Sequence, residues 1–157
     1  SQIAALVERW DEVLFNAVRQ VSDAPYSVVH YTNEPWDGRD AQSRSTQTNL
    51  GQVITSAMAH AFDPPLEGAM VNGGSIRLDD FLEGGITPID FFRVLPFGDG
   101  VLKVQMTGAL LSEILSYGEA QKAMGPICSA MDSSRGSISF GILGATELSQ
   151  ISSTGSP

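Results

Sequence analysis

The chain has 157 residues, with 18 Asp and Glu against 9 Lys and Arg, and a net charge of −9. A surface so acidic repels a phosphate backbone and argues against general nucleic-acid binding, while leaving room for a small anion held by local arginines. With 42% apolar residues and 17% charged ones, the composition excludes disorder throughout and suits one domain with a core. The lone cysteine, Cys128, excludes an intrachain disulfide and a cysteine-based zinc site, and no apolar run approaches the ~18 residues of a membrane helix.

In chain order, residues 3–21 read as an amphipathic helix. Ile3, Leu6, Val7, Trp10, Leu14, Ala17, Val18 and Val21 recur at three- and four-residue spacing, and Ser22, Asp23 and Pro25 end it. Residues 26–32 are β-branched and aromatic, hence a predicted strand. Residues 33–47 are polar and rich in turn formers and read as a loop. A second helix is predicted over 49–62, capped by Thr48 or Asn49 and stopped by Pro64 and Pro65. Its apolar face is Leu50, Val53, Ile54, Ala57, Met58 and Ala61.

Residues 68–71 are a short apolar run, read as a buried strand that enters the turn Asn72-Gly73-Gly74-Ser75. Thr87 before Pro88 predicts a short helix over 87–93. Residues 95–100 (LPFGDG) form a loop and 101–106 alternate as a strand. A third helix is predicted over 109–124, with Leu110, Leu111, Ile114, Leu115 and Tyr117 inward. Residues 128–157 hold nine serines and four glycines, and only 137–143 (SISFGIL) alternates as a strand does. Helices and strands that alternate without long βαβ spacing define an α+β or mixed α/β domain.

Chemistry has few places to sit. His30 and His60 have no carboxylates at metal-ligand spacing and read as structural or surface residues, and no Walker loop, GxSxG or GxGxxG is present. Three loops stand out: 38–44 (GRDAQSR), 71–77 (VNGGSIR) and 95–100. In the second, the paired glycines Gly73 and Gly74 allow positive φ and close backbone approach to a ligand, with N–H groups free to face an anion. Arg77 follows with a planar fork suited to phosphate or carboxylate oxygens. The same residues also read as a plain tight turn with a surface arginine. Arg39 and Arg44 read equally as solvated loop residues, and Phe97 as either a core plug or a stacking face.

Taken as an ordered set, residues 44–58 (RSTQTNLGQVITSAM), 70–77 (MVNGGSIR), 84–108 (GGITPIDFFRVLPFGDGVLKVQMTG) and the following helix resemble the C-terminal domain of 5'-nucleotidases. That group includes periplasmic UDP-sugar hydrolases and ecto-5'-nucleotidases. The resemblance covers residues 28–125, and the order of its motifs is more specific than any one of them. It implies a single α+β domain with a mixed sheet flanked by helices. Residues 1–24 would form a helix leading into the domain and 25–127 the 5'-nucleotidase C-terminal-like domain. Residues 128–157 would be its Ser/Gly-rich truncated end or a tail.

The resemblance implies nucleotide recognition. Arg44 would contact the phosphate or ribose side, with Arg39 in a similar role at a spacing of five residues rather than four. Asn72, Gly73, Gly74 and Arg77 match the family's glycine loop, and Phe97 matches one of two phenylalanines that sandwich the base. Asp99 stands where some members carry a base-contacting asparagine; an aspartate accepts but does not donate. Gly125 lies near a family glycine that contacts the base. The implied ligand is a nucleoside monophosphate or nucleotide-sugar.

The partner implied for catalysis is an N-terminal metallophosphatase domain carrying a divalent metal pair, expected outside this chain, which itself would hold no cofactor and no catalytic residue. The family's later stretch with the second phenylalanine has no counterpart in 128–157. The family implies a secreted or periplasmic location. A non-catalytic interaction module that keeps the fold is the alternative.

Overall fold

The computed structural model describes residues 2–121, 126–128 and 138–144. Its centre is a four-stranded mixed sheet in the order β6 (Gly100–Met106), β8 (Ile138–Gly144), β3 (Gly68–Asn72), β7 (Pro126–Cys128). β8 runs parallel to β3 with Ala69 opposite Gly141, and antiparallel to β6 with Val104 opposite Phe140. β7 is antiparallel to β3, placing Val71 opposite Ile127. One of the two middle strands therefore comes from beyond residue 127. The alternation in 137–143 that predicts a strand is matched by β8; the rest of 129–157 lies outside the described residues.

The sheet is covered on both faces, which is why β3 reads as a continuous apolar run rather than an alternating one. Ala69 and Val71 face α3 (Asn49–His60), joining Leu50, Ile54, Met58, Ile76, Ile86 and Val94 in the larger core. Met70 faces the other way, against Met106 and Leu111, where α5 (Gly108–Gln121) packs with Ile114 and Leu115. The result is α+β: a mixed sheet flanked by helices, with two short ribbons beside it. In these, β1 (His30–Tyr31) pairs with β5 (Gly85–Ile86), and β2 (Trp36–Asp37) with β4 (Phe81–Leu82).

The helix predicted over 49–62 is present, and Thr48 caps it by accepting a hydrogen bond from Gly51 N at 3.1 Å. Asn49 instead turns outward, its Oδ1 accepting from Asp37 N at 2.7 Å and its Nδ2 donating to Pro35 O at 2.9 Å. α4 (Pro88–Val94) starts where Thr87-Pro88 predicts. The Asp90 carboxylate accepts from both the Thr87 N–H and its hydroxyl, at 2.9 and 2.7 Å. Burial raises the Asp90 pKa, but the Thr87 hydrogen bonds and then Arg93 outweigh it and leave the carboxyl below its ordinary value.

Three readings are corrected and a fourth is narrowed. Residues 33–47 are not all loop: β2 and α2 (Asp40–Ser45) lie within them. α2 has too few turns for apolar periodicity, so nothing in its composition announces a helix; packing against the glycine turn sets it. Of 26–32 only His30 and Tyr31 pair as strand. In α5, Leu110 and Tyr117 face solvent, because a helix lying on a sheet hides only the stripe that runs through Leu111. α1 (Gln2–Arg19) forms, but among its apolar stripe only Val18 is buried and Trp10 is 64% exposed.

Candidate functional site

The site is assembled by two short segments that meet edge to edge. The strand β3 ends in a 3₁₀ turn, Gly73–Ser75, whose entry is set by Asn72 accepting from Gly74 N at 3.2 Å. α2 lies directly against this turn. A Cβ on Gly73 would collide with the Ser43 carbonyl, and one on Gly74 would meet Arg44 Nη1 at 2.7 Å. Neither glycine has positive φ. Gly73 is therefore needed for close approach of backbone to backbone, and Gly74 leaves room for the movable Arg44 guanidinium, rather than either supplying the left-handed backbone the sequence suggests. The Gly74 N–H is also taken by Asn72 rather than left free for an anion.

Arg44 is half-buried and its Nε donates to Asp40 Oδ1 at 2.8 Å, one turn back along α2. Its outer guanidinium nitrogens rest on Gly74. Arg77 leaves the other side of the same turn. Its Nη1 lies 3.5 Å from the Gly74 carbonyl, and its guanidinium carbon sits 5.7 Å from the centre of the Phe97 ring. The Arg77 N–H donates to Val94 O at 2.9 Å, tying this segment to the end of α4 and so to the loop carrying Phe97.

That loop is open. Phe97 is 59% exposed, and Gly98 takes φ +66° with nothing among the described residues within 4 Å of a Cβ there. Ser75, Leu95, Phe97, Gly98, Asp99 and Leu143 line a small cavity of about 60 Å³. Ligand clefts usually hold roughly 300–1,000 Å³, so this is one wall of a site rather than a closed pocket. Phe97 is no core plug.

Thus Arg44, Gly74, Arg77 and Phe97 form an unbroken sequence of contacts, with Asn72 and Gly73 shaping the turn beneath and Asp99 next to the ring. Arg39 takes a different direction. It donates to Asp37 through Nε and Nη2 at 3.0 and 2.8 Å and stacks 4.6 Å from the Phe81 ring centre. The Arg39 hydrogen bonds hold the Asp37 carboxyl below its usual value. Gly125 lies outside the described residues. The carboxylates that engage the arginines, Asp37 and Asp40, escape a reading that looks for cationic partners of a ligand; Asp40 is legible afterwards as the i,i+4 partner of Arg44. His30 stacks on Trp36 at 5.3 Å, and His60 Nδ1 lies 2.8 Å from Ser56 O. Among the described residues no three His, Cys, Asp or Glu converge as a metal-binding group, and no helix is long and apolar enough to cross a membrane.

A mixed sheet between helices, with arginines and an exposed ring gathered at the glycine turn after β3, defines an α+β domain with its candidate binding surface at that end of the sheet. The chain belongs to the family of 5'-nucleotidase C-terminal domains, whose family model matches residues 27–143. It is 37% identical over 89 residues to a 5'-nucleotidase of Vibrio cholerae, covering 57% of this chain and 15% of that one. It is 32% identical over 102 residues to the trifunctional nucleotide phosphoesterase protein YfkN of Bacillus subtilis, covering 63% of this chain and 7% of that one. The fold is similar to the crystal structure of a 5'-nucleotidase precursor from Thermus thermophilus, with a TM-score of 0.63 and 21% identity over 84% of this chain and 32% of that one. The chain thus spans only a small part of the length of the curated relatives it matches.

Proposed function

We propose that this chain is the nucleotide-recognition domain of a metal-dependent phosphoesterase of the 5'-nucleotidase or UDP-sugar hydrolase type. Arg44 and Arg77 bind the phosphate and ribose side of a nucleoside monophosphate or nucleotide-sugar, Phe97 stacks on the base, and Asp99 accepts hydrogen bonds from the base or sugar edge. The observation that carries this reading is the continuous contact from Arg44 across Gly74 to Arg77 and Phe97, which puts cationic forks beside an exposed aromatic face. Arg77 is the better anion site of the two, since its guanidinium meets a neutral carbonyl while Arg44 shares a carboxylate.

Hydrolysis would belong to an N-terminal metallophosphatase domain, whose divalent metal pair, when bound, would supply Lewis-acid activation of water and phosphate. The residues described here orient the substrate toward it. A secreted or periplasmic location accompanies this reading.

Titration of the chain with AMP and with UDP-glucose, followed through the NMR signals of Phe97 and Arg77, tests it. Saturable shifts are expected, weakened strongly by Arg77→Ala, with no phosphate release when divalent metal is added. An absence of saturation at millimolar ligand would sink the nucleotide reading and leave a non-catalytic interaction module.

A further inference from the structure

Asp79 is the residue among the described non-glycines that takes a left-handed backbone, at φ +51°. Aspartate tolerates this region better than most residues, but the conformation still carries a cost. Three hydrogen bonds hold it there. The Asp79 N–H donates to Gly38 O at 3.1 Å, Gly38 N donates to Asp80 O at 3.0 Å, and Asp79 Oδ1 accepts from Asp40 N at 2.9 Å. A side chain at Gly38 would press on its surroundings, since a Cβ there would lie 2.8 Å from Leu50 Cδ2, 2.9 Å from Leu78 Cδ2 and 3.1 Å from the Asp80 carbonyl oxygen. The left-handed turn at Asp79 thus aims a carboxylate at the first N–H of α2, where Arg39, at the capping position, offers no side-chain acceptor.

The consequence runs along α2. Asp40, whose N–H Asp79 holds, is also the residue whose carboxylate grips Arg44 Nε. Asp79 itself lies two residues after Arg77. One carboxylate therefore joins the segment bearing Arg44 to the segment bearing Arg77. We infer that Asp79 is a positioning residue of the recognition site: it caps α2 from the opposite segment and so fixes Arg44 over Gly74 beside Arg77. The inference rests on the nucleotide reading above for its functional meaning, though not for its geometry.

The test compares Asp79→Gly, Asp79→Asn and wild type in the whole chain. Asp79→Gly keeps the left-handed backbone and removes the acceptor; Asp79→Asn keeps an acceptor oxygen and also tolerates positive φ. Asp79→Gly is expected to speed exchange of the Asp40 amide at least tenfold, to shift the Arg44 Nε resonance, and to weaken AMP binding about five- to twentyfold, with thermal stability held. Asp79→Asn is expected to restore all three to within about twofold of wild type. Unchanged Asp40 exchange and Arg44 signal in Asp79→Gly overturn the inference. So does AMP affinity equal to wild type when wild type binds. If wild type fails to bind AMP, the nucleotide reading falls alone, and the exchange and Arg44 signals still decide whether Asp79 positions this arginine.

Discussion

The contact of α2 on the glycine turn and the loop carrying Phe97 are neighbours with opposite construction. In the first, Ser43 is fully buried, its carbonyl packs onto Gly73, and Arg39 and Arg44 are both held by carboxylates. In the second, Phe97 is largely exposed and no described residue crowds Gly98. The nucleotide reading proposed above would use both. Side chains that must lie in fixed directions are held by packing, while a face that must admit a flat ligand stays uncovered. Sites are built to tolerances that loose loops alone do not reach.

The difference predicts very different responses to single substitutions. Gly73→Ala forces a methyl group into the Ser43 carbonyl, and overpacking against backbone costs roughly 1–3 kcal/mol or more. Chemical denaturation should show a loss near the upper end, and an unchanged midpoint would mean that α2 does not seat on this turn. Phe97→Ala should leave stability within about 0.5 kcal/mol, as for an ordinary surface site. It should nevertheless weaken AMP binding by ~1–3 kcal/mol, the worth of one stacked base. Loss of stability without loss of affinity would reassign Phe97 to packing.

Acid should loosen both regions, because Asp37 braces the first and Asp90 starts the helix leading to the second. Each carboxyl has a folded pKa below its ordinary value. Their stabilisation is therefore complete above the unfolded value of about 4 and is lost as pH falls through the folded value. The melting temperature of wild type should hold above about pH 5 and drop below about pH 4. Asp90→Asn should start lower and fall less steeply over that range. A parallel fall in both proteins would remove Asp90 from the account.

The smallest effect is expected at Ser43. Among the described residues its buried Oγ has no hydrogen-bond partner, so Ser43→Ala should be neutral or stabilising, within about 0.5 kcal/mol. A loss above about 1 kcal/mol would reveal that the hydroxyl is bonded in solution.

Much of this molecule is legible because the signals are local. Thr48 and Thr87-Pro88 mark helix starts through side-chain and ring chemistry that acts within one turn. The unbroken apolar run of β3 announces a strand covered on both faces. The turn after it falls where the glycines place it, although they serve proximity rather than left-handed backbone. The amphipathic pattern of α1 gives a helix and tells nothing about what its stripe meets, since periodicity reports a face and not a partner.

Helix caps, the buried strand, the order of the motifs and hence the family can all be read from the chain alone, because each depends on residues close together along it. Folding in three dimensions settles the rest: residues 40–45 form a helix, Asp40 and Asp37 engage the arginines, and Asp79 reaches 39 residues back to cap α2. Those outcomes arise from packing and hydrogen bonds between distant segments. A short polar stretch carries no periodicity from which such contacts can be read.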